Sequence, residues 1–193
     1  KSSVLLLGMD LMKFDDYKME KGGNELPLIL WNHRWEHDKN PKAFFDALIQ
    51  LSQMGSKFNL AVLGEEFKQE LPCFTKAREI LKPHIVQFGY TDSFEDYANW
   101  LWKADILPVT SNQDFFGGSI MEGVYCCTTP LLPNRLTYPE LFSQSENPQL
   151  FYENSDELID KLTYAIQNIS ETRKRSCQVN ARKYDWANMA KEY

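Results

Sequence analysis

Two cations and two carboxylates set the chemistry this chain can attempt. Arg34 and Lys39 stand five positions apart in WNHRWEHDKNP, and Asp114 and Glu122 bracket the glycine-bearing stretch DFFGGSIME. A guanidinium forks onto two phosphate oxygens, while an ammonium supplies a compact point charge. A diphosphate that leaves a sugar gains charge as its bond breaks, so cations held beside it favour the transition state. Gly117 and Gly118 let the backbone come close to a ligand, and the helix expected after them presents unpaired N–H groups and the positive end of its dipole. Such a helix mouth is an anion site. Glu122 follows Gly118 by four residues, which places it one turn below that mouth. A carboxylate there can accept hydrogen bonds from two adjacent hydroxyls, as on a ribose. The ligand these groups describe is a sugar joined to a nucleotide through phosphates.

The elements that must position these groups follow from the pattern of apolar runs. Residues 27–32 (LPLILW) read as a buried strand, with Arg34 and Lys39 just beyond its end. Asn40 caps a helix that has Pro41 at its first position and stops at Gly55; Ala43, Phe44, Ala47, Leu48 and Leu51 make its apolar stripe. Asn59 to Leu63 is the next strand, closed by Gly64, and a helix covers Thr75 to Leu81. Ile85 to Phe88 is a third strand ending at Gly89, and Ser93 with Asp96 resembles a capping box for a helix over 94–103. Ile106 to Val109 is the strand that feeds the glycine pair. A short strand lies near Pro130–Leu132, Tyr138–Glu140 is a loop, and Leu150–Tyr152 is a last strand. Ser155 opens a helix to about Ile169, and Ser170 opens another that runs into YDWANMAKEY. Strands alternating with helices predict an α/β fold, a Rossmann-like parallel sheet with helices on both faces. Ligands bind such sheets at the carboxyl ends of the strands. The residues singled out fall there: Arg34 and Lys39, then Gly64, then Phe88 and Gly89, then Asp114 to Glu122.

Each of these positions also has a plain structural reading. Arg34 and Lys39 can be solvated surface cations. Phe88 and Gly89 can offer a base a stacking face and backbone, or be a core ring and a turn glycine. His33, Glu36 and His37 match the H-x-x-E-H zinc pattern, but that pattern needs a helix, and here it follows a strand and ends at the capping Asn40–Pro41. No zinc is expected. His84, before a strand, reads as structural.

With 193 residues, 43% hydrophobic and 25% charged, the chain can bury one sizeable core. The net charge of −6 argues against a strong nucleic-acid binder in this piece alone. No apolar run reaches membrane-spanning length. Cys73, Cys126, Cys127 and Cys177 lack metal or redox spacing and read as free thiols of a reducing cytoplasm. The chain opens on Lys1, so it is expected to be an excised piece, with 1–26 a linker and entry segment and 27–193 the domain that carries the site. A dinucleotide oxidoreductase is disfavoured, because no G-x-G-x-x-G follows the first strand.

At these residues the chain resembles the C-terminal domain of retaining GT-B glycosyltransferases, family 4. The likeness rests on Arg34 and Lys39 after the first strand, Gly64 after the second, Phe88–Gly89 after the third, and the acidic pair Asp114 and Glu122 around Phe116–Gly117. LGMDLMKF is similar to the family's interdomain linker, and YDWANMAKEY to its final helix. The resemblance implies one half of a GT-B fold, with 1–26 entering from a missing N-terminal domain and 27–193 binding the nucleotide-sugar donor. It implies catalytic roles for Arg34, Lys39 and Asp114, and donor contacts from Gly64, Phe88, Gly89, Phe116, Gly117, Gly118, Ser119 and Glu122. It implies front-face transfer with retention, no protein nucleophile, no cofactor and no metal, the two cations taking the metal's place. More narrowly, WNHRWEHDKNP and QDFFGGSIMEG are similar to a group of glycosyltransferase-like proteins that mannosylate queuosine in tRNA. That likeness implies GDP-mannose as donor and tRNA as acceptor, the tRNA being held mainly by the missing N-terminal domain, with no membrane partner. Two departures stand out: Asp114 where the family has Glu, and Phe115 where Gly is common. The alternatives are a retaining transferase using a UDP- or GDP-sugar with a small or lipid acceptor, or a non-catalytic nucleotide-binding module. A lone half is expected to bind nucleotide weakly and to transfer nothing.

Overall fold

The structure, a computed structural model, describes residues 7–21, 25–64, 71–175 and 177–190. The apolar start VLLL up to Leu6, the glycines of EKGGNE and the end of YDWANMAKEY lie outside the described residues.

Six parallel strands form one sheet: β1 (Leu28–Trp31), β2 (Asn59–Leu63), β3 (Ile85–Gly89), β4 (Ile106–Pro108), β5 (Thr129–Pro133) and β6 (Phe151–Tyr152). They lie side by side in the order β3-β2-β1-β4-β5-β6. The chain winds outward from β1 in one direction and resumes at β4 in the other. The crevice between the ends of β1 and β4 is therefore the switch point of the sheet, where open α/β folds bind their ligands.

The helices are α1 (Pro41–Gln53), α2 (Pro72–Ile80), α3 (Phe94–Lys103), α4 (Gly118–Tyr125), α5 (Tyr138–Leu141), α6 (Ser155–Gln167), α7 (Ile169–Lys174), α8 (Gln178–Arg182) and α9 (Trp186–Met189). Strand alternation sorts the core into two layers. Leu28 and Leu30 of β1, with Ala61 and Leu63 of β2, face a layer that holds Ala98 and Leu101 of α3, Ile120 and Val124 of α4 and Ala181 of α8. Ile29, Trp31, Leu60 and Val62 face the opposite layer, with Phe44, Phe45 and Leu48 of α1, Phe74 of α2 and Leu162 of α6. Both faces are covered, which is why these strands read as continuous apolar runs.

The expected caps hold at two helices. The Asn40 side chain accepts a hydrogen bond from the Ala43 N–H at the start of α1, and Ser93 Oγ accepts from the Asp96 N–H at 3.0 Å at the start of α3. Other boundaries differ from the sequence reading. Helix α2 begins at Pro72, not Thr75, because the proline ring presets the first helical turn. Tyr138–Leu141 is a short helix rather than a loop. Helix α6 opens at Ser155 as expected, with Asn154 capping it by accepting from the Glu157 N–H at 3.0 Å, but it ends at Gln167. The long final helix is instead the three pieces α7, α8 and α9, separated by non-helical backbone at Arg175 and Asp185.

The leading segment is part of the core. Leu11 and Phe14 are fully buried, and Met9 bridges Asp185 as a short parallel pair. The Asp185 carboxylate accepts the N–H groups of Leu11 (2.8 Å), Met12 (3.0 Å) and Ala187 (2.8 Å). One buried acid thus clips the segment before β1 to the start of α9. No helix among the described residues is long and apolar enough to cross a membrane.

Candidate donor site

A cleft of about 650 Å³ opens at the switch point. One wall comes from the loop between β1 and α1 (Arg34, Glu36, His37, Asp38, Lys39) and the other from the loop between β4 and α4 (Gln113 to Gly118), with Leu7 at its edge. The two loops are sewn together. The Asn112 N–H donates to the Asp38 carbonyl at 2.7 Å, and the Thr110 hydroxyl donates to the carbonyls of Lys39 and Asn40.

Lys39 is no solvated surface cation: only 9% of it is exposed. Its ammonium donates to the Gln113 carbonyl at 3.0 Å and lies 3.3 Å from both the Asp114 and Asp38 carboxylates. Arg34 is the opposite case, with a side chain 62% exposed and its guanidinium 3.1 Å from Glu36. It stands at the rim, free to turn onto a ligand.

Asp114 works on its own loop. One oxygen accepts the Gly117 N–H at 2.8 Å, and the other accepts from Lys39 and from the Tyr138 hydroxyl at 3.2 Å. The carboxylate therefore pins the turn that leads into α4. Gly117 completes that turn at φ +77°, and a Cβ on it would lie 3.0 Å from Ile120 and 3.5 Å from Tyr138. The helix opens at Gly118, so the first N–H groups of α4 point toward the cleft without helical partners. Among the described residues, two cations and three carboxylates line this hollow. An incoming diphosphate must compete with carboxylates already on Lys39.

Behind the helix mouth lies a buried polar chain. His33 Nδ1 and Ser119 Oγ share a hydrogen bond of 2.8 Å. Asn32 donates to the Ser119 carbonyl at 2.7 Å and to the Tyr97 hydroxyl at 3.4 Å, and Tyr97 donates to Glu122 at 2.7 Å. Burial, helped by the charge of Lys39, pushes the His33 imidazole down to about 4, so it is neutral at pH 7. Burial pushes the Glu122 carboxyl above its ordinary value, while the Tyr97 hydrogen bond and the charge of Lys13 pull it back. Burial and the neighbouring Glu122 hold the Tyr97 phenol well above its usual range.

The sequence-derived site thus divides. Arg34, Lys39, Asp114, Phe116, Gly117 and Gly118 share one cleft. Ser119 sits just beneath it on His33. Glu122 does not line that cleft; it faces Tyr97 of α3 and connects to the helix mouth through Asn32. Gly64 lies under the β1–α1 loop, at φ +120°, where a Cβ would come 2.8 Å from the His33 carbonyl and 3.0 Å from the Trp35 ring. Phe88 packs edge-on to Trp35 at 5.2 Å with the Arg78 guanidinium 4.8 Å over its ring, so its faces are largely taken by protein. Gly89 is open, with nothing within 4 Å of where a Cβ would be. The H-x-x-E-H stretch is loop followed by a 3-10 turn at His37–Lys39, not a helix.

Sequence reasoning missed Asp38, Tyr97, Asn32 and the engagement of Tyr138. Asp38 had a local signal, since it adjoins Lys39. Tyr97 had none, because its partner lies 25 positions away on another helix.

A parallel α/β sheet with a cleft at its switch point that joins Lys39 and Arg34 to the open start of a helix is the nucleotide-binding half characteristic of GT-B glycosyltransferases, and the chain belongs to the glycosyl transferases group 1 family, which it matches over residues 15–184. It is similar to a Drosophila melanogaster protein named tRNA-queuosine alpha-mannosyltransferase, 37% identical over 134 residues, which are 69% of this chain and 34% of that protein. Among solved structures it resembles Anabaena HepE in complex with UDP (16% identity, TM-score 0.69, 96% of this chain and 54% of that one). It also resembles the C-terminal domain of a group 1 glycosyl transferase, LpcC, from Francisella tularensis (19% identity, TM-score 0.64, 92% and 94%). The structural likenesses, at these identities, are likenesses of fold. The chain spans about a third of the Drosophila relative and about half of HepE.

Proposed function

We propose that this chain is the donor-binding part of a retaining glycosyltransferase that passes mannose from GDP-mannose to queuosine in tRNA, in the cytoplasm. The observation that supports the reading most is the meeting, in one cleft, of Lys39, Arg34 and the open start of α4. The mannosyl donor and tRNA acceptor rest on the likeness to the Drosophila protein.

In this reading the diphosphate lies between Lys39 and the N–H groups of Gly118 and Ser119, and Arg34 closes over it from the rim. As the bond from the anomeric carbon to the diphosphate lengthens, negative charge grows on the departing oxygens, and these fixed donors answer it without reorganising. They do the work a divalent metal does elsewhere. The acceptor hydroxyl approaches on the face the diphosphate leaves, and a diphosphate oxygen takes its proton. Asp114 holds the loop and Lys39 in register beside the donor sugar. Glu122, held by Tyr97 behind the helix mouth, is assigned to the ribose hydroxyls in this reading, and the open backbone at Gly89 to the base.

A ligand that binds only the folded state raises the melting temperature. A thermal-shift panel of GDP, GDP-mannose, UDP, ADP and NAD is the test. Stabilisation by the guanine nucleotides alone supports the reading. Stabilisation by UDP alone points to a UDP-sugar donor, and stabilisation by NAD alone overturns the class.

A further inference from the structure

Phe115 is a cleft residue that the donor reading leaves unused. It is 98% exposed, although a ring of this size is ordinarily among the most buried. Its backbone is nonetheless anchored on both sides. Asp114 is held by Lys39, Gly117 and Tyr138, and the Phe115 carbonyl itself accepts from the Thr137 hydroxyl at 3.3 Å. Phe116, next in the chain, packs edge-on against Tyr184 at 5.1 Å. The loop thus presents an apolar ring at a fixed place on the rim, with both faces in solvent. Leu7, 59% exposed, lines the same cleft, and Leu136, 41% exposed, adjoins the Thr137 anchor.

We propose that Phe115 is the acceptor platform of this transferase: its ring stacks on a planar ring of the acceptor and sets acceptor specificity. The inference rests on the transferase reading above. The charged end of the donor belongs with Lys39 and the start of α4, deeper in the cleft. The acceptor must reach the anomeric carbon from the open side, and Phe115 stands on that side beside Asp114. A neutral aromatic face offers nothing to a phosphate, but it matches the π-face of a nucleobase. Removing such a ring weakens base binding roughly 5- to 150-fold.

The test uses the full-length natural protein with GDP-mannose as donor and queuosine-containing tRNA as acceptor, comparing wild type with Phe115→Ala and Phe115→Trp. Phe115→Ala is expected to raise the KM for tRNA at least fivefold, and Phe115→Trp to restore it. The KM for GDP-mannose, the shift with GDP and the melting temperature stay within error of wild type, because a ring in solvent supports neither fold nor donor. Wild-type transfer with an unchanged tRNA KM in Phe115→Ala overturns the platform and leaves the transferase reading standing. A rise in the donor KM alone also overturns it, as does a drop of several degrees in melting temperature, which would place the ring against another part of the protein. If wild type neither transfers nor shifts with GDP, the transferase reading falls and the platform falls with it.

Discussion

His33 carries the most exacting prediction about stability. Its imidazole is 2% exposed, bonded through Nδ1 to Ser119, and no partner meets Nε2 among the described residues. Burial and the charge of Lys39 lower it from 6.5 to about 4. The sign follows from linkage. Between those values the unfolded chain binds the proton and the folded chain does not, so stability is intact above pH 6.5 and drains away as pH falls toward 4. A shift of this size is worth about 3 kcal/mol across the whole window, at about 1.4 kcal/mol per unit, and about 2 kcal/mol of it is gone by pH 5. Denaturant titrations of wild type and His33→Gln at pH 7.5 and pH 5.0 isolate the effect, because the other titrating groups cancel in the double difference. The substitution itself lowers stability at pH 7.5 by about 1–3 kcal/mol through the disturbed bond to Ser119. The wild type should then lose about 2 kcal/mol more than the variant between the two pH values. Equal losses in both proteins would refute the claim that His33 is buried neutral beneath the helix mouth.

Other perturbations read the fold and the cleft separately. Asp185→Ala strips three backbone N–H groups of their acceptor and should cost about 3 kcal/mol in denaturant titration, since charge-assisted bonds are the strong ones. Gly64→Ala forces a Cβ to 2.8 Å from the His33 carbonyl at φ +120° and should cost more than about 2 kcal/mol, with GDP binding weakened because the β1–α1 loop moves. Arg34→Ala removes an exposed cation and should leave the melting temperature alone while weakening GDP about tenfold, measured by calorimetry.

Much of this was legible in the residues. Apolar runs placed β1 to β4 closely, with Gly64 and Gly89 marking the ends of β2 and β3, and Asn40–Pro41 and Ser93–Asp96 marked helix starts that the structure keeps. Those signals are local, and a sheet buried on both faces writes them plainly. The convergence of Arg34, Lys39 and Asp114 on one cleft also followed, because all three lie just past strand ends in a parallel sheet. What stayed hidden was long-range or finely balanced. The pairing of Tyr97 with Glu122 joins two helices, and the Asp185 clip joins the two ends of the chain. The breaks at Arg175 and Asp185 carry no proline or glycine to announce them. Phe45, buried beside Trp31, lay outside the predicted stripe because α1 buries a wider face than a single row.

The central claim is that the cleft between β1 and β4 grips a nucleotide diphosphate, with Lys39 at its base. The measurement closest to it is the melting temperature of this chain with and without GDP, repeated on Lys39→Ala. At a GDP concentration about ten times the Kd, binding stabilises by roughly 1.4 kcal/mol, a rise of about 3–6 °C for a domain of this size. Wild type should show that rise, and Lys39→Ala should lose it. A wild type indifferent to GDP, or a Lys39→Ala variant that keeps the full shift, would contradict the claim.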